Sequence, residues 1–218
     1  CVDIIYIRYM ILALFGFLQL SIADGVDITD IFWDVEQDWY TDYVHYVYCN
    51  RLMTGISGTS KFEPDSNITK AQVAQVLYNM STQFGYANEV FQELTDVYRN
   101  EWYADAISWA YSHGIITGDT NTKKFYPNSY VTREQLALML YRYAVYAKED
   151  ISKTSDLSGL KHAENVSNWA AEGVKWAVGS GFISGIDKNG VKDLAPQGNA
   201  TRAQVAAILQ RFCEANGR

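Results

Sequence analysis

Apolar residues recur at helical spacing in three separate parts of the chain. Counted from Trp39, Trp102 and Trp169, the residues at +5 and +8 are apolar in every case, which places them on one face of a helix. A second apolar stretch comes further along, as at residues 73–78 and 136–141. The pattern predicts an all-α chain of units with two helices joined by a long loop, and strand signals are weak throughout.

The start of each second helix is marked by a threonine followed three residues later by a glutamine. This spacing is typical of a capping box, in which the two side chains accept hydrogen bonds from amides that are otherwise unpaired at the helix start. An apolar residue before each threonine suits a hydrophobic staple. The three pairs are Thr69 with Gln72, Thr132 with Gln135, and Thr201 with Gln204.

The first helix of each unit is expected to end about twelve residues after its tryptophan. Units two and three carry Gly114 and Gly181 there, and glycine suits a left-handed helix cap. Unit one has Arg51 at this position. We therefore expect the end of its first helix to differ from the other two.

The connecting loops repeat as well. Each contains one of the chain's three prolines, five residues before the capping threonine. The apolar residue two positions before each proline is expected to pack the loop onto the core. These residues are Phe62, Phe125 and Leu194.

These markers define three tandem copies of one unit. The tryptophans lie 63 and 67 residues apart, and each precedes a glycine by sixteen residues. A fixed spacing of several markers indicates a repeat architecture. We assign the units to residues 31–80, 94–146 and 157–213. One unit cannot bury its own apolar face, so the three are expected to pack on each other.

Charge and cysteine content narrow the function. The chain has 218 residues and a formal net charge of −7, which excludes a broad basic surface for nucleic acid. Cys49 and Cys213 fall in apolar helical patterns, so we expect buried free thiols, although with Cys1 present one disulfide stays open. The three histidines have no metal-ligand spacing, and no metal site or cofactor is expected.

Residues 1–23 have the features of a secretory signal peptide. Arg8 precedes an apolar run at residues 10–22, and a small-residue pattern ends at Ala23. Cleavage after Ala23 fits this arrangement. An uncleaved anchor is the alternative.

A cation stands at the first helical position after each capping threonine: Lys70, Arg133 and Arg202. A positive charge there opposes the helix dipole. One interpretation is a salt bridge to a nearby acid, such as Asp34 or Asp96. The other is a site where the cation and free helix amides bind a carboxylate. For a surface cation, Arg133→Ala should change stability by no more than about 1 kcal/mol.

The tryptophans and glycines also have two interpretations each. Trp39, Trp102 and Trp169 could pack in the core, which is the usual place for such residues, or form flat platforms for sugar rings. Gly55, Gly118 and Gly185 suit turns, or let the backbone approach a ligand closely.

The ordered motifs together resemble the S-layer homology (SLH) family. Unit two carries the resemblance most completely. It reads Leu-Thr-Asp-Val at 94–97, Trp-Tyr at 102–103, Gly-Ile-Ile-Thr-Gly at 114–118, Phe-Tyr-Pro at 125–127 and Thr-Arg-Glu-Gln at 132–135. The resemblance covers roughly residues 31–213.

The resemblance implies a three-lobed, pseudo-threefold, all-helical fold. It implies non-covalent binding of secondary cell-wall polysaccharide, often bearing pyruvate ketals, in grooves between adjacent repeats. It also implies a secreted bacterial protein at the cell wall, with a fused or associated surface protein as its cargo. The cations, tryptophans, Asp34, Asp96 and the three loop glycines named above would form the binding sites.

Several departures from the family pattern indicate that the grooves are unequal. Lys70 replaces the favoured arginine and loses the planar fork that pairs with a carboxylate. His162 stands where the other units have aspartate, and the third loop is two residues longer. Two other functions remain open. One is a structural module for self-assembly or protein partners; the other is an envelope enzyme, although no nucleophile elbow or carboxylate pair is recognisable.

Overall fold

The computed structural model describes residues 27–81 and 93–217, and the predicted signal peptide at 1–23 lies outside them. The fold is mostly helical, as the sequence predicts. The α-helices are α1 Ile28–Ile31, α2 Thr41–Cys49, α3 Lys70–Met80, α4 Ala104–Ser112, α5 Arg133–Ala147, α6 Ala171–Gly179 and α7 Arg202–Ala215, with a 3₁₀ turn at Ala163–Asn165. Within the described ranges, no helix is both long enough and apolar enough to cross a membrane.

The helices pair between units in a closed ring. The second helix of each unit packs on the first helix of the next: α3 on α4, α5 on α6, and α7 back on α2. The apolar faces of these pairs merge into one core that runs through all three units. No unit therefore completes its core alone, as expected for repeats that bury their faces against neighbours.

The ring is closed at its centre by three backbone hydrogen bonds. The amide of Ile68 donates to the carbonyl of Ala200 at 3.1 Å, that of Ala200 to Val131 at 2.9 Å, and that of Val131 to Ile68 at 3.0 Å. All three side chains are completely buried. Each residue precedes a capping threonine, so the three units meet around a pseudo-threefold axis, as the family resemblance implies.

All three predicted capping boxes are present, with both hydrogen bonds made in each. The residues expected to hold the loops onto the core, Phe62, Phe125 and Leu194, are buried. Cys49 is half-buried and Cys213 is buried, and neither forms a disulfide with another described residue.

The expectation that the first helix of unit one ends differently is wrong. Arg51 adopts a left-handed conformation with φ 57°, close to Gly114 at 70° and Gly181 at 78°. The amides of Leu52 and Met53 both donate to the Val47 carbonyl, and the equivalent bonds form in the other units. These bonds hold the turn whichever residue occupies it, and Arg51 bears the conformational cost.

Unit three contains a small β-hairpin that the weak strand signals did not predict. Strands β1 Ile186–Lys188 and β2 Val191–Asp193 pair antiparallel. Asn189 and Gly190 form the turn with φ of 57° and 80°, the pattern favoured in two-residue hairpins. The longer loop of this unit is thus folded back on itself.

Replacing Arg51 with glycine should stabilise the protein. A non-glycine residue in the left-handed region costs about 1 kcal/mol, and glycine removes most of that cost. We expect Arg51→Gly to raise the free energy of unfolding by about 0.5 kcal/mol or more, measured by chemical denaturation. Arg51→Ala is the control, because it removes the same side chain and keeps the strain. Equal stability of the two variants would contradict the prediction.

Candidate functional site

The two motif arginines connect adjacent units. Arg202 is 5% exposed, and its guanidinium donates to the carbonyls of Phe62 and Thr54, both at 2.7 Å. Arg133 is 6% exposed and donates to the Leu194 carbonyl at 2.9 Å and to Gln204 at 3.1 Å. Each arginine therefore holds part of another unit, either its loop or its helix start.

Lys70 takes the same position more loosely. It is half-buried, and its Nζ lies 3.4 Å from the Phe125 carbonyl oxygen. The ammonium is also 5.8 Å from the centres of the Phe125 and Tyr126 rings. Burial lowers the pKa of Lys70, and the nearby charge of Asp96 partly opposes that shift.

The free helix amides expected beside these cations are not available. The first two amides of each second helix donate to loop carbonyls of the following unit, at 2.9–3.0 Å. The six donors are Lys70, Ala71, Arg133, Glu134, Arg202 and Ala203, and the capping threonine takes the third amide of each helix. The helix starts are therefore closed to an anion by the contacts between units.

Asp34 and Asp96 hold their own loops. Asp34 accepts the amides of Phe62 and Glu63, and Asp96 those of Phe125 and Tyr126, all at 2.8 Å. The expected salt bridges from the motif cations to these acids do not form. Asp193 of unit three does form ion pairs, with His162 and with Lys188.

Unit three keeps the loop contact with a different acid. His162 replaces the aspartate, and Asp193 replaces the lysine found at the equivalent loop positions 61 and 124. Asp193 accepts from the Ala195 amide and contacts His162, both at 2.9 Å, and Lys188 at 3.0 Å. The hydrogen bonds of His162 and Lys188 hold the pKa of Asp193 well below its usual range. In unit three the acidic residue therefore lies in the loop, whereas in units one and two it lies before the first helix.

The repeated tryptophans are on the surface, so the core interpretation is wrong. Trp39, Trp102 and Trp169 are 54%, 61% and 54% exposed. The buried aromatic residues of the first helices are instead Trp109 and Trp176. Each exposed indole lies just before a first helix, and those of Trp102 and Trp169 stand beside the second helix that packs on it.

Two of these tryptophans are walls of open grooves between units. Groove 1 has a volume of about 530 Å³ and groove 2 about 240 Å³. Groove 1 is lined by Leu52, Met53, Thr54, Gly55, Ile56, Ser57, Ile68, Gln72, Gln75, Val76, Asn79, Trp102 and Arg202. Groove 2 is lined by Lys70, Ile116, Thr117, Phe125, Gln135, Leu138, Met139, Arg142 and Trp169.

The grooves occupy equivalent positions: all the residues that line groove 2 except Phe125 have their counterparts in the lining of groove 1. Each has a tryptophan on one side and a second helix on the other, with the motif cation of the preceding unit in the ring at one end. Of the candidate site residues, Gly55, Trp102 and Arg202 line groove 1, and Lys70 and Trp169 line groove 2. Asp34 and Asp96 act behind the loops instead.

The loop glycines are required by packing. A Cβ on Gly55 would clash with the Phe32 ring, and one on Gly118 with the Leu94 side chain. Gly185 is left-handed, with φ 78°, and Leu160 would lie 3.2 Å from its added Cβ. Each loop therefore passes closely over an apolar side chain of its own unit.

Sequence reasoning missed Glu134, which holds the chain segment just before Trp169. Glu134 is 2% exposed and accepts from both the amide and the hydroxyl of Ser167 at 2.9 Å, and from Gln197 at 2.8 Å. Ser167 lies two residues before Trp169. The other units have alanine in place of Glu134, and that difference is the signal that could have identified it.

Because Arg133 is buried, its replacement should cost more stability than the small change expected for a surface cation. Removing its side chain leaves the Leu194 carbonyl and Gln204 without their charged donor, so Arg133→Ala should cost about 3 kcal/mol. Lys70→Ala is the matched control at the same helix position, with a cost under about 1 kcal/mol because its one side-chain hydrogen bond is long. Urea denaturation measures both. Equal losses would contradict this account of the two cations.

Comparison with known proteins agrees with this architecture. The family model of the S-layer homology domain matches residues 32–74, 93–137 and 160–206. The chain is 31% identical over 189 residues to an amylopullulanase of Thermoanaerobacterium thermosulfurigenes, covering 84% of the chain and 10% of that enzyme.

Two further relatives are surface proteins by name. A surface-layer 125 kDa protein of Lysinibacillus sphaericus is 32% identical over 70% of the chain and 12% of its own length. A cellulosome-anchoring protein of Acetivibrio thermocellus is 25% identical over 70% of the chain and 33% of its own length. The chain thus spans a third or less of each of these three relatives. With three matched repeats and a closed ring of helices, the chain belongs to the S-layer homology domain family.

Proposed function

We propose that this chain is a cell-surface anchor that holds secondary cell-wall polysaccharide non-covalently in grooves 1 and 2. The observation that carries the proposal is the pair of open grooves, each walled by an exposed tryptophan. The apolar face of a sugar ring stacks on such an indole, and the amide side chains on the opposite wall suit sugar hydroxyls.

The family supports an anchoring role. Its members include proteins of the bacterial cell surface, among them the surface-layer and cellulosome-anchoring proteins above. The enzyme names among the relatives belong to chains of which this sequence matches a small part, as with the amylopullulanase. We therefore infer a binding module of a secreted, wall-associated protein, with catalysis assigned to other domains.

The shape and chemistry of the grooves also support binding. Both are concave; groove 1 is mainly apolar with a few polar groups, the usual form of a ligand site, and groove 2 is lined by polar and apolar groups together. Within the described ranges, no cluster of three or more His, Cys, Asp or Glu side chains could hold a metal ion. The ligand we propose is carbohydrate, with neither nucleic acid nor membrane as partner.

Replacing the two groove tryptophans tests this function. We expect the double variant Trp102→Ala/Trp169→Ala to bind purified Lysinibacillus sphaericus walls at least about tenfold more weakly than wild type. Trp39→Ala is the matched control, since Trp39 is equally exposed and precedes a first helix in the same way. It should stay within about twofold, because Arg211 and Tyr43 contact each other across the site that is equivalent to grooves 1 and 2.

Two outcomes would contradict the proposal. One is equal binding of the wild-type chain to walls stripped of secondary polymer with hydrofluoric acid. The other is equal weakening by Trp39→Ala. Sedimentation velocity on the same variants examines the alternative of a self-assembly module: tryptophan replacement that dissociates oligomers and leaves wall binding intact would favour it.

A further inference from the structure

We propose that one helix position decides what each groove accepts: groove 2 binds an anionic sugar, groove 1 an uncharged one, and the third groove is closed by the protein. The position is the tenth residue after the capping threonine, and it holds Asn79, Arg142 and Arg211 in the three units. This inference rests on the proposed function and assigns a ligand class to each site.

Arg142 is the cation that groove 2 leaves available. It is half-buried, lines the groove and, within the described part of the chain, has no hydrogen bond or ion pair. Burial lowers its pKa with no neighbouring charge to oppose the shift. A guanidinium that has lost water without gaining a partner is in an unfavourable state, and a bound anion would relieve it with charge-assisted hydrogen bonds.

Lys70 gives groove 2 a second positive charge. Its long contact with the Phe125 carbonyl leaves an ammonium with three donors largely uncommitted. In the described part of the chain, no acidic side chain lines this groove. In a chain of net charge −7, groove 2 is therefore a local positive site, and such a site attracts anions.

Groove 1 has no uncommitted cation among the residues that the structure describes. The charged residue in its described lining is Arg202, which is buried and donates to two loop carbonyls. Asn79 replaces the free arginine, donates to the Leu52 carbonyl at 3.2 Å and accepts from Gln75 at 2.9 Å. The open wall is amide and apolar, which suits a hydroxylated, uncharged sugar.

The third arginine is used within the protein. Arg211 donates to the Phe182 carbonyl and to the Tyr43 hydroxyl, both at 3.3 Å, and lies 5.4 Å from the centre of the Tyr43 ring. Tyr43 stands where the other units have Ala106 and Gly173. The bridge joins α7 to α2 across the site equivalent to grooves 1 and 2, and its cation–π contact takes up the charge.

The test exchanges the residues between grooves. Arg142→Asn installs the groove 1 residue in groove 2, and Arg142→Lys keeps the charge. Arg211→Asn is the matched control, the same substitution at the same position of the closed groove. Each is assayed on Lysinibacillus sphaericus walls, either native or with their carboxylates converted to neutral amides by carbodiimide, in about 0.05 M and about 0.5 M sodium chloride.

We expect Arg142→Asn to weaken binding to native walls by about tenfold at low salt. Arg142→Lys should retain most of the affinity, and Arg211→Asn should lose none. If the deficit disappears on amidated walls, the anion is a carboxylate. If it persists on amidated walls and disappears at high salt, the anion is a phosphate diester. Either result supports an anionic ligand in groove 2.

The inference is overturned if Arg142→Asn binds native walls like wild type, if its deficit is the same at both salt concentrations on both kinds of wall, or if Arg211→Asn is equally impaired. These outcomes are separate from failure of the anchoring proposal. If the anchoring proposal itself fails, wall binding by the chain should be unchanged when the polymer is stripped and when Trp102 and Trp169 are replaced.

Discussion

The fold depends on hydrogen bonds between the start of each unit's second helix and the loop of the next unit. The first amides of an α-helix have no partner within the helix, and burying them unpaired would be costly. Here the carbonyls of the next loop accept them, three times around the ring. The central bonds among Ile68, Val131 and Ala200 close the same ring. Removing one unit would leave unpaired donors on one side and unpaired acceptors on the other.

This constraint explains the motif cations. A lysine or arginine at a helix start is unfavourable next to the helix dipole, yet the chain has one at all three places. In the structure each reaches past the helix end to a loop carbonyl of the following unit. The half-buried Asp34 and Asp96 and the buried Asp193 lie close enough to oppose the lowering of the pKa of the cation, and at Arg202 the charge of Glu63 does so more strongly than Asp34. Neighbouring units are thus joined through charge as well as through the backbone.

Local sequence predicted the parts that depend on local geometry. The capping boxes and the packing of Phe62 follow from the spacing of residues a few positions apart. The repeat follows from the recurrence of those local patterns along the chain. The exposure of Trp102 did not follow, because the spacing that marks a first helix does not decide whether the indole before it faces the core or the solvent. The loss of the helix amides as an anion site is likewise a consequence of contacts between units, and the sequence of one unit contains no trace of it.

The three units share one backbone arrangement and differ in the side chains that line their grooves. The ring fixes the backbone, so the walls of the grooves can change one side chain at a time, as at Asn79, Arg142 and Arg211.

The most direct test of the binding account is an NMR titration of the chain with short fragments of released wall polymer, following the indole N–H signals. We predict that the signals of Trp102 and Trp169 shift while that of Trp39 stays in place. Equal shifts at all three tryptophans, or none at any, would contradict the account.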